Sequence, residues 1–372
     1  MRRIRLLFVL TSPVRGGVEE VVQALLRRLD PGEFHLGLAA PGALLDALGG
    51  DLTGVRVETE AVAAESVRQP REVRRLASFM TRFRPDIVNS HLFRATVVAA
   101  PLARWHGARA VETYHGREGW RQGPAALRFL PDRMIGRLLD RVIAVSEAAR
   151  AFLISGKGYR ADTITVVPNG RDLSVFTPGP AREAARKELG LDGAVPLVGV
   201  VGRLEAQKGH THLLDAWPAV VREFPDARCL LVGEGSLRAA LAEQARARGV
   251  AASVIFAGFR ADVPRVLDAI DVLCLPSLYE GMPLTAIEAS AMARPVVATA
   301  VDGTPEVVRD GHSGRLVPAA DPTALARALC ELLGDPERAR GMGQAGRELV
   351  LERFDLGRQV EATARVYRSL AR

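Results

Sequence analysis

The sequence predicts an α/β protein made of two doubly wound domains, each with a parallel sheet that helices cover on both faces. Two series of short, continuous apolar segments alternate with amphipathic helical segments along the chain. Strands that are apolar throughout are typical of parallel sheets buried on both faces. The segment between the two series, residues 171–196, is rich in Pro and Gly, and we interpret it as a linker. The length of 372 residues and the apolar content of 48% are sufficient for two cores.

The elements of the two series follow in a regular order. A helix from Val18 to Leu29, with apolar residues at helical spacing, follows the first strand. The first series predicts strands over residues 4–10, 86–91, 108–115, 141–146 and 163–170. The second series predicts strands over residues 196–204, 227–235, 253–259, 271–277 and 294–301. We therefore expect an N-terminal domain over residues 1–175 and a C-terminal domain over residues 190–353.

Composition and charge restrict the class of protein. The three cysteines stand in apolar segments without CxxC spacing, which is typical of buried thiols in a reducing cytosol. No apolar run approaches the ~20 residues that span a bilayer, so we expect a cytoplasmic protein. Residues 1–180 carry 26 Arg and Lys against 18 Asp and Glu, whereas residues 181–372 carry 24 against 25. The basic first half indicates an anionic ligand, an anionic lipid or a nucleic acid as partner.

The strand-to-helix junctions are the places to look for a site. In doubly wound sheets, ligands bind at the carboxyl ends of the strands, beside helix N-termini. Glycines, which let a backbone approach a ligand closely, stand at three such junctions. They are Gly16 and Gly17 after the first strand, Gly233 in the second series, and Gly258, which Phe259 follows.

The segment YEGMPLTAIEASA predicts a loop followed by a helix that opens at Pro283. The unpaired N–H groups and the partial positive charge of a helix start can bind a phosphate. Arg203 and Lys208, on a neighbouring loop, would add full charges suited to a diphosphate. Glu288 on the helix would accept hydrogen bonds from a pair of sugar hydroxyls, and Glu280 would lie on the other side of the phosphates. This layout indicates a nucleotide sugar.

The same segment resembles the E-x7-E motif of the retaining glycosyltransferases of the GT-B fold, family 4 type (glycosyl transferases group 1). The resemblance covers nearly the whole chain, in family order, through GGVEEVV, PDIVNSHLFRA, TYHG, DRVIAVSE, VPNGRD, VGRLEAQKG, GEGSLR, GFRADV, PSLYEG and DGTPEVV. It implies two Rossmann-like domains that face a cleft, the first on the acceptor side and the second binding the nucleotide sugar. It also implies that a final helix over residues 354–372 packs back on the first domain.

The resemblance implies an activity and the residues that perform it. The activity is transfer of a sugar, with retention, from a nucleotide sugar to a hydroxyl of a glycan, a glycolipid or a small molecule. Arg203 and Lys208 would hold the donor diphosphate, Glu280 the donor sugar and Glu288 the ribose, while His115 would lie by the transferred sugar. The other donor-binding residues that we expect are Gly16, Gly17, Gly233, Gly258, Phe259, Gly281, Met282, Pro283, Leu284 and Thr285.

The catalytic charge is expected to come from side chains. No D-x-D motif occurs in the sequence, so we expect a metal-independent enzyme that needs no cofactor and uses a UDP sugar as co-substrate. Electrostatic stabilisation of the leaving group by Arg203, Lys208 and the helix start would then be the main catalytic effect. Two alternatives stay open, an enzyme of this fold that epimerises or hydrolyses a nucleotide sugar and a basic nucleic-acid-binding protein. The second explains neither Glu280 nor Glu288, and without an aromatic binding motif we expect no nucleic-acid partner.

Two departures from the family pattern and one pair of histidines need explanation. The chain has Ala293-Arg294 and Asp302-Gly303 where the family tends to have Gly and Gly-Gly, and we expect Asp302 to face the donor and influence which sugar fits. His210 and His212 form an H-x-H pattern without an evident third metal ligand, and we expect both to be exposed on a helix.

Two arginine-rich segments, residues 68–84 and 117–141, each carry apolar stripes. These stripes either pack on the sheet or contact a membrane, and Trp120 and Phe129 in the second segment, expected at the rim of the cleft, favour the membrane. Each Lys or Arg near an anionic bilayer contributes about 1 kcal/mol. We therefore expect peripheral binding to the inner face of the cell membrane, where the acceptor would be lipid-linked.

Overall fold

The computed structural model describes residues 2–117, 129–179, 182–191 and 195–371. The chain divides into two units, each with its own hydrophobic core. The first unit comprises Met1–Asn169 and Leu356–Arg372, and the second comprises Gly170–Asp355. None of the helices in the described ranges is both long enough and apolar enough to span a bilayer.

The first unit contains a parallel sheet of seven strands in the order β3-β2-β1-β4-β5-β6-β7. The strands are β1 Ile4–Val9, β2 Phe34–Ala40, β3 Val57–Ala61, β4 Ile87–His91, β5 Arg109–Tyr114, β6 Arg141–Ala144 and β7 Ile164–Val166. The helices between them are α1 Gly17–Arg28, α2 Gly42–Leu48, α3 Pro70–Phe83, α4 Leu92–Trp105, α5 Leu130–Gly136 and α6 Glu147–Ser155. The strand order reverses between β1 and β4, the kind of switch point beside which open α/β sheets bind ligands.

The apolar stripe of the first arginine-rich segment packs against the sheet. Leu76, Phe79, Met80 and Phe83 of α3 are buried in the core of the first unit. The arginines of the same helix lie on its outer side, and Arg82 pairs with Glu60 at 2.7 Å. Of the two possibilities for this segment, packing on the sheet is therefore correct for the stripe, and only the arginines remain to face a partner.

The second unit contains a parallel sheet of six strands in the order β10-β9-β8-β11-β12-β13. The strands are β8 Leu197–Val201, β9 Arg228–Val232, β10 Val254–Gly258, β11 Val272–Leu275, β12 Val296–Thr299 and β13 Gly314–Val317. The helices are α7 Arg182–Glu188, α8 His210–Glu223, α9 Arg238–Ala247, α10 Val263–Ala269, α11 Leu284–Ala291, α12 Thr304–Val307, α13 Pro322–Gly334 and α14 Pro336–Arg353. Two parallel-sheet α/β units are the fold class that the sequence predicts, and this prediction is confirmed.

Part of the segment interpreted as a linker is an ordered piece of the second unit. Arg186 of α7 is buried, donates to the carbonyl of Ala269 at 3.0 Å and pairs with Asp271 at 2.9 Å. Asp271 in turn accepts from the backbone N–H of Leu197 at 2.7 Å, at the start of β8. The interpretation of all of residues 171–196 as a linker is therefore wrong for α7, which Arg186 anchors to the end of α10 and to Asp271 directly before β11.

The last helix, α15, extends over Leu356–Leu370 and belongs to the first unit. Its Tyr367 is fully buried, and the Tyr367 hydroxyl lies 2.6 Å from the Asn89 amide nitrogen in the core of the sheet. The rings of Phe8 and Phe34 contact the Tyr367 ring edge-on at centroid distances of 6.4 and 6.2 Å. This helix thus completes the core of a unit whose other residues precede the whole second unit in the chain.

Candidate functional site

The loops at the carboxyl ends of the strands in the second unit are in backbone contact with one another. Gly233, after β9, has a φ of +137°, and a Cβ at this position would lie 2.1 Å from the carbonyl oxygen of Gly202 after β8. Gly209, with a φ of +65°, approaches Pro276 after β11, whose carbonyl oxygen would lie 1.9 Å from a Cβ. Because only glycine allows either approach, these glycines bring the three loops into one cluster.

Two predicted catalytic side chains form an ion pair in this cluster. The Lys208 Nζ lies 2.6 Å from the Glu280 Oε1, and the side chains are 18% and 7% exposed. The Ser277 hydroxyl donates to the same carboxylate oxygen at 2.7 Å. The methylene chain of Lys208 lies over Gly202, which has no side chain to displace it. A lysine and a carboxylate fixed in this way can act together on one polar ligand.

Arg203 lies on the same loop as Lys208 but is exposed. Its guanidinium donates to the Gln207 side-chain oxygen at 3.3 Å. The Gln207 side-chain amide in turn donates to the backbone carbonyl of Tyr279 at 3.1 Å. The backbone carbonyl of Gln207 accepts from the Leu278 N–H. Gln207 therefore connects the loop that carries Arg203 and Lys208 to the loop that carries Glu280.

The ion-pair partner of Glu288 is Arg171, a residue that the sequence did not lead us to expect in the site. The Arg171 guanidinium lies 2.6 Å from the Glu288 Oε1, and Glu288, on α11, is buried. Arg171 follows β7 in VPNGRD, one of the motifs that carry the resemblance. A buried carboxylate needs a charged partner. A buried Glu288 therefore required a nearby Lys or Arg, and this was the available signal for Arg171.

The start of α11 is where the sequence predicts it. Pro283 is the N-cap residue, without a side-chain hydrogen bond, and α11 begins at Leu284. Gly281, Met282 and Pro283 are buried, whereas Leu284 and Thr285 are half-buried and form the first turn. Glu288 is the one charged residue of α11, and it lies beyond the first turn. No charged side chain in the first turn therefore opposes the positive end of the helix dipole.

Phe259 and Gly258 lie at the end of β10. Gly258 has a φ of +67°, and its carbonyl accepts from the Gly233 N–H at 2.8 Å. Phe259 is 74% exposed, so an aromatic face is presented to solvent beside the glycine loops.

The two departures from the family pattern fall at positions with left-handed backbone. Ala293 has a φ of +53° and Asp302 a φ of +43°, a region that glycine adopts without strain. The Asp302 carboxylate accepts from the Glu280 N–H at 3.0 Å. Asp302 therefore fixes the loop that carries Glu280, which is a structural reason for its side chain besides any contact with a sugar.

In the first unit, Gly16 and Gly17 stand at the start of α1. Gly16 is the N-cap residue with an extended backbone, and a Cβ at this position would meet the Glu19 carboxylate at 3.2 Å. Glu19, in the first turn of α1, is buried. A side chain at position 16 would therefore displace the Glu19 carboxylate by a few tenths of an ångström, and the extended backbone there does not itself require glycine.

His115, directly after β5, pairs with a second histidine that the sequence reasoning missed. The His91 Nδ1 lies 2.8 Å from the His115 Nε2, the ring centroids are 5.1 Å apart, and the ring planes are inclined by 24°. Burial lowers the pKa of His115 to about 3, and burial together with His115 lowers the pKa of His91 well below its usual value. Both rings are therefore neutral at physiological pH. His91 ends β4, the neighbour of β5, so the register of adjacent parallel strands was the available signal.

The expectation for His210 is wrong. His210 opens α8 and is only 1% exposed, while His212 is half-buried. Burial, with a smaller contribution from Lys208, lowers the pKa of His210 to about 4, so the ring is neutral. The first residue of α8 faces the sheet because Gly209 turns the chain sharply before it. In the parts of the chain that the structure describes, no group of three or more His, Cys, Asp or Glu side chains is arranged to hold a metal ion.

Comparisons with known families match both units. A family described as "Glycosyl transferases group 1" matches residues 195–335, and "Glycosyltransferase Family 4" matches residues 15–175.

Two characterised relatives are similar to most of the chain. The GDP-mannose-dependent alpha-(1-6)-phosphatidylinositol monomannoside mannosyltransferase of Mycolicibacterium smegmatis is 38% identical over 68% of this chain and 69% of its own length. The D-inositol 3-phosphate glycosyltransferase of Corynebacterium urealyticum is 32% identical over 77% of this chain and 72% of its own length.

A solved structure shows the same fold. The crystal structure of Anabaena Alr3699/HepE in complex with UDP and glucose superimposes with a TM-score of 0.85 at 24% identity, covering 99% of this chain and 100% of the other. At this level of identity the likeness concerns the fold.

Proposed function

The chain belongs to glycosyltransferase family 4 and is a glycosyltransferase of the GT-B fold, and from this premise we propose that it is a retaining, metal-independent transferase that moves a sugar from a nucleotide-sugar donor to an acceptor hydroxyl. The observation that carries the proposal is the Lys208–Glu280 ion pair at the start of α11. It joins a cation suited to the donor diphosphate with a carboxylate suited to the donor sugar.

The donor is held by residues of different chemistry along its length. Glu288, which Arg171 orients, accepts hydrogen bonds from the ribose hydroxyls. Lys208, Arg203 and the N–H groups at the start of α11 bind the diphosphate. Glu280 binds the sugar, and its loop is held by Asp302.

The reaction needs charge stabilisation more than it needs a protein nucleophile. The acceptor oxygen bonds to the anomeric carbon as the bond from that carbon to the phosphate oxygen breaks, and the acceptor proton passes to the departing phosphate. Negative charge grows on the diphosphate during this step. Lys208 and Arg203 are already in place to stabilise it, so little reorganisation is required.

The nucleotide is the first property to test. We expect a UDP sugar, and the GDP-mannose-dependent relative from M. smegmatis favours GDP-mannose as the second candidate. A thermal-shift panel of UDP-, GDP-, ADP- and dTDP-sugars should give one clear rise in the melting temperature, because a ligand at 100 times its Kd stabilises by about 2.7 kcal/mol. No rise with any of the four would contradict the proposal.

The same panel distinguishes transfer from the alternatives. With the stabilising donor, a transferase releases free nucleotide mainly when an acceptor is supplied. Release at an equal rate without acceptor would indicate a hydrolase, and interconversion of the sugar an epimerase.

We also propose that the acceptor is a lipid-linked sugar or polyol of the cell envelope, reached at the inner face of the cell membrane. Support comes from the relative that acts on a phosphatidylinositol monomannoside and from the surface of α5. There Leu130 and Met134 are 50% and 63% exposed, beside the exposed Arg133 and Arg137. Phe129 is buried and is not part of this surface; residues 118–128 of the second basic segment, with Trp120, lie outside the described residues.

Replacing Arg133 and Arg137 together with glutamine is expected to weaken binding to phosphatidylglycerol vesicles about 30-fold, since each arginine near an anionic bilayer contributes about 1 kcal/mol. Co-sedimentation at low salt measures this, with phosphatidylcholine vesicles as the uncharged comparison. The matched control is Arg327→Gln with Arg340→Gln, which removes the same charge from exposed positions of the second unit. Wild-type protein that stays in the supernatant at low salt would indicate a soluble acceptor.

A further inference from the structure

The Glu280 carboxylate receives two hydrogen bonds on the same oxygen. The Lys208 Nζ lies 2.6 Å from Oε1, and the Ser277 hydroxyl donates to Oε1 at 2.7 Å. No group in the described residues hydrogen-bonds the second oxygen, Oε2. The side chain of Glu280 is 7% exposed, so the carboxylate is nearly buried and still keeps one oxygen that can accept from a ligand.

The two donors differ in how firmly they are held. Lys208 carries its ammonium on a flexible four-carbon chain, is 18% exposed, and has three N–H donors to distribute. Ser277, three residues before Glu280, is 1% exposed. A hydrogen bond from a buried hydroxyl to a carboxylate is charge-assisted, and no bulk water competes for it. Ser277 is therefore the fixed donor and Lys208 the movable one.

The backbone around Ser277 is attached to the neighbouring strand, β12. The Thr299 hydroxyl, at the end of β12, donates to the Ser277 carbonyl at 2.5 Å, and Thr299 is 3% exposed. Three residues beyond Thr299, the Asp302 carboxylate accepts from the Glu280 N–H. Two side chains from the end of β12 thus hold the loop after β11 at both Ser277 and Glu280.

The Lys208–Glu280 ion pair has to be shared when the donor binds, because the proposed function places the diphosphate at Lys208. As negative charge grows on the departing phosphate, the attraction of Lys208 to the phosphate increases, whereas its attraction to Glu280 does not. We propose that Ser277 is a positioning residue that, supported by Thr299, keeps the Glu280 Oε2 directed at the donor sugar while Lys208 turns to the diphosphate. The ligands in this proposal rest on the proposed function, whereas the coupling of Ser277 to Glu280 does not.

Two affinities separate this role from a loss of folding. Ser277→Ala is expected to weaken binding of the nucleotide sugar about 10-fold, the effect of one charge-assisted hydrogen bond, and to leave the affinity for the free nucleoside diphosphate unchanged. The loop of Ser277 continues into α11, whose start binds the diphosphate, so disorder of this loop would weaken both ligands equally. Calorimetry with the nucleotide sugar selected by the donor panel, and with its nucleoside diphosphate, measures the two affinities.

Thr299 and Ser290 supply the conservative and the matched variants. Thr299→Val keeps the shape of the side chain and removes its hydroxyl, so it should give a smaller loss with the same selectivity for the nucleotide sugar. Thr299→Ser keeps the hydroxyl and should bind as the wild type does. Ser290, on α11, is also 1% exposed, but its hydroxyl has no hydrogen-bond partner in the described part of the chain. Ser290→Ala should therefore leave both affinities unchanged.

The coupling of Ser277 to Glu280 can be measured without a ligand. In a double-mutant cycle, Ser277→Ala should lower the melting temperature of the wild type more than that of Glu280→Gln, because a neutral amide oxygen is a weaker acceptor than a carboxylate. Additive effects of the two substitutions would show that the hydroxyl and the carboxylate are not coupled.

Three results would overturn the proposal: equal losses of both affinities in Ser277→Ala, no loss of either, or additivity in the cycle. If the wild type binds a nucleotide sugar and Ser277→Ala does not distinguish it from the nucleoside diphosphate, the positioning role fails and the proposed function stands. If the cycle shows coupling but the wild type binds no nucleotide sugar, the proposed function and the sugar as ligand fail together, while the contact of Ser277 with Glu280 stands.

Discussion

Replacing Lys208 with methionine is expected to lower kcat by about two to three orders of magnitude, the effect of removing one preorganised charge from a transition state. Methionine keeps the methylene chain that covers Gly202 and removes the Nζ that pairs with Glu280 at 2.6 Å. Because the charge on the leaving diphosphate grows as the sugar departs, the loss should be larger in kcat than in affinity for the nucleotide sugar.

A double variant separates this catalytic effect from a loss of stability. Lys208→Met leaves the nearly buried Glu280 carboxylate without its cation, which by itself destabilises a protein. Lys208→Met with Glu280→Gln should recover the melting temperature, but its kcat should stay well below that of Glu280→Gln alone. Lys187→Met, at an exposed lysine of α7, is the matched control and should keep wild-type kcat. A kcat of the double variant equal to that of Glu280→Gln alone would show that Lys208 acts only through Glu280.

Glu288→Gln is expected to weaken nucleotide binding by about 1–3 kcal/mol, because ribose hydroxyls would lose a charged acceptor. Glutamine keeps the size of the side chain, so the packing of α11 is preserved. Calorimetry with the nucleoside diphosphate selected by the donor panel measures the change. The 2′,3′-dideoxy analogue should bind the wild type more weakly than the parent nucleotide, and this difference should be smaller in Glu288→Gln, whose side-chain carbonyl is an uncharged acceptor.

Arg171 allows a check on this assignment. If Arg171 acts by orienting Glu288, Arg171→Met should weaken nucleotide binding less than Glu288→Gln does, and the double variant should bind no worse than Glu288→Gln alone. If Glu288→Gln still prefers the parent nucleotide over the dideoxy analogue by the same factor as the wild type, the ribose does not bind at Glu288.

Strands that lie in the continuous apolar segments of the two series were predictable from sequence, whereas β2, β3 and β13 were not. All ten strands predicted from apolar segments are present, including β7 and β10 at the edges of the two sheets. The strands that the sequence reasoning missed are β2, β3 and β13. Strand β3, VETEA, lies at an edge of the first sheet and carries charges, and β13, GRLV, has four residues at an edge of the second sheet. Neither has a continuous apolar run. Strand β2, FHLGLAA, lies inside the first sheet and is apolar apart from His35, so its pattern was available and was overlooked.

The loops of the site could be predicted from local patterns, but their partners could not. Lys208 and Glu280 were recognised from their motifs, and their 2.6 Å contact brings together positions 72 residues apart. Arg171 and His91 were missed because each acquires its role from a residue distant in sequence. His210 was misjudged because α8 begins after a left-handed Gly209, so that helical spacing alone did not identify its buried face.

The hydrogen bond between Asn89 and Tyr367 affects the order in which the chain can fold. The two residues are 278 positions apart, and the entire second unit lies between them. During synthesis the sheet of the first unit emerges early, yet Phe8, Phe34 and Asn89 stay uncovered until α15 has been made. The second unit has all its residues in one stretch and can fold first, while long-range contacts such as this one form slowly. A ribosome-bound chain therefore carries an incomplete first unit, with part of its apolar core uncovered, until synthesis reaches Tyr367.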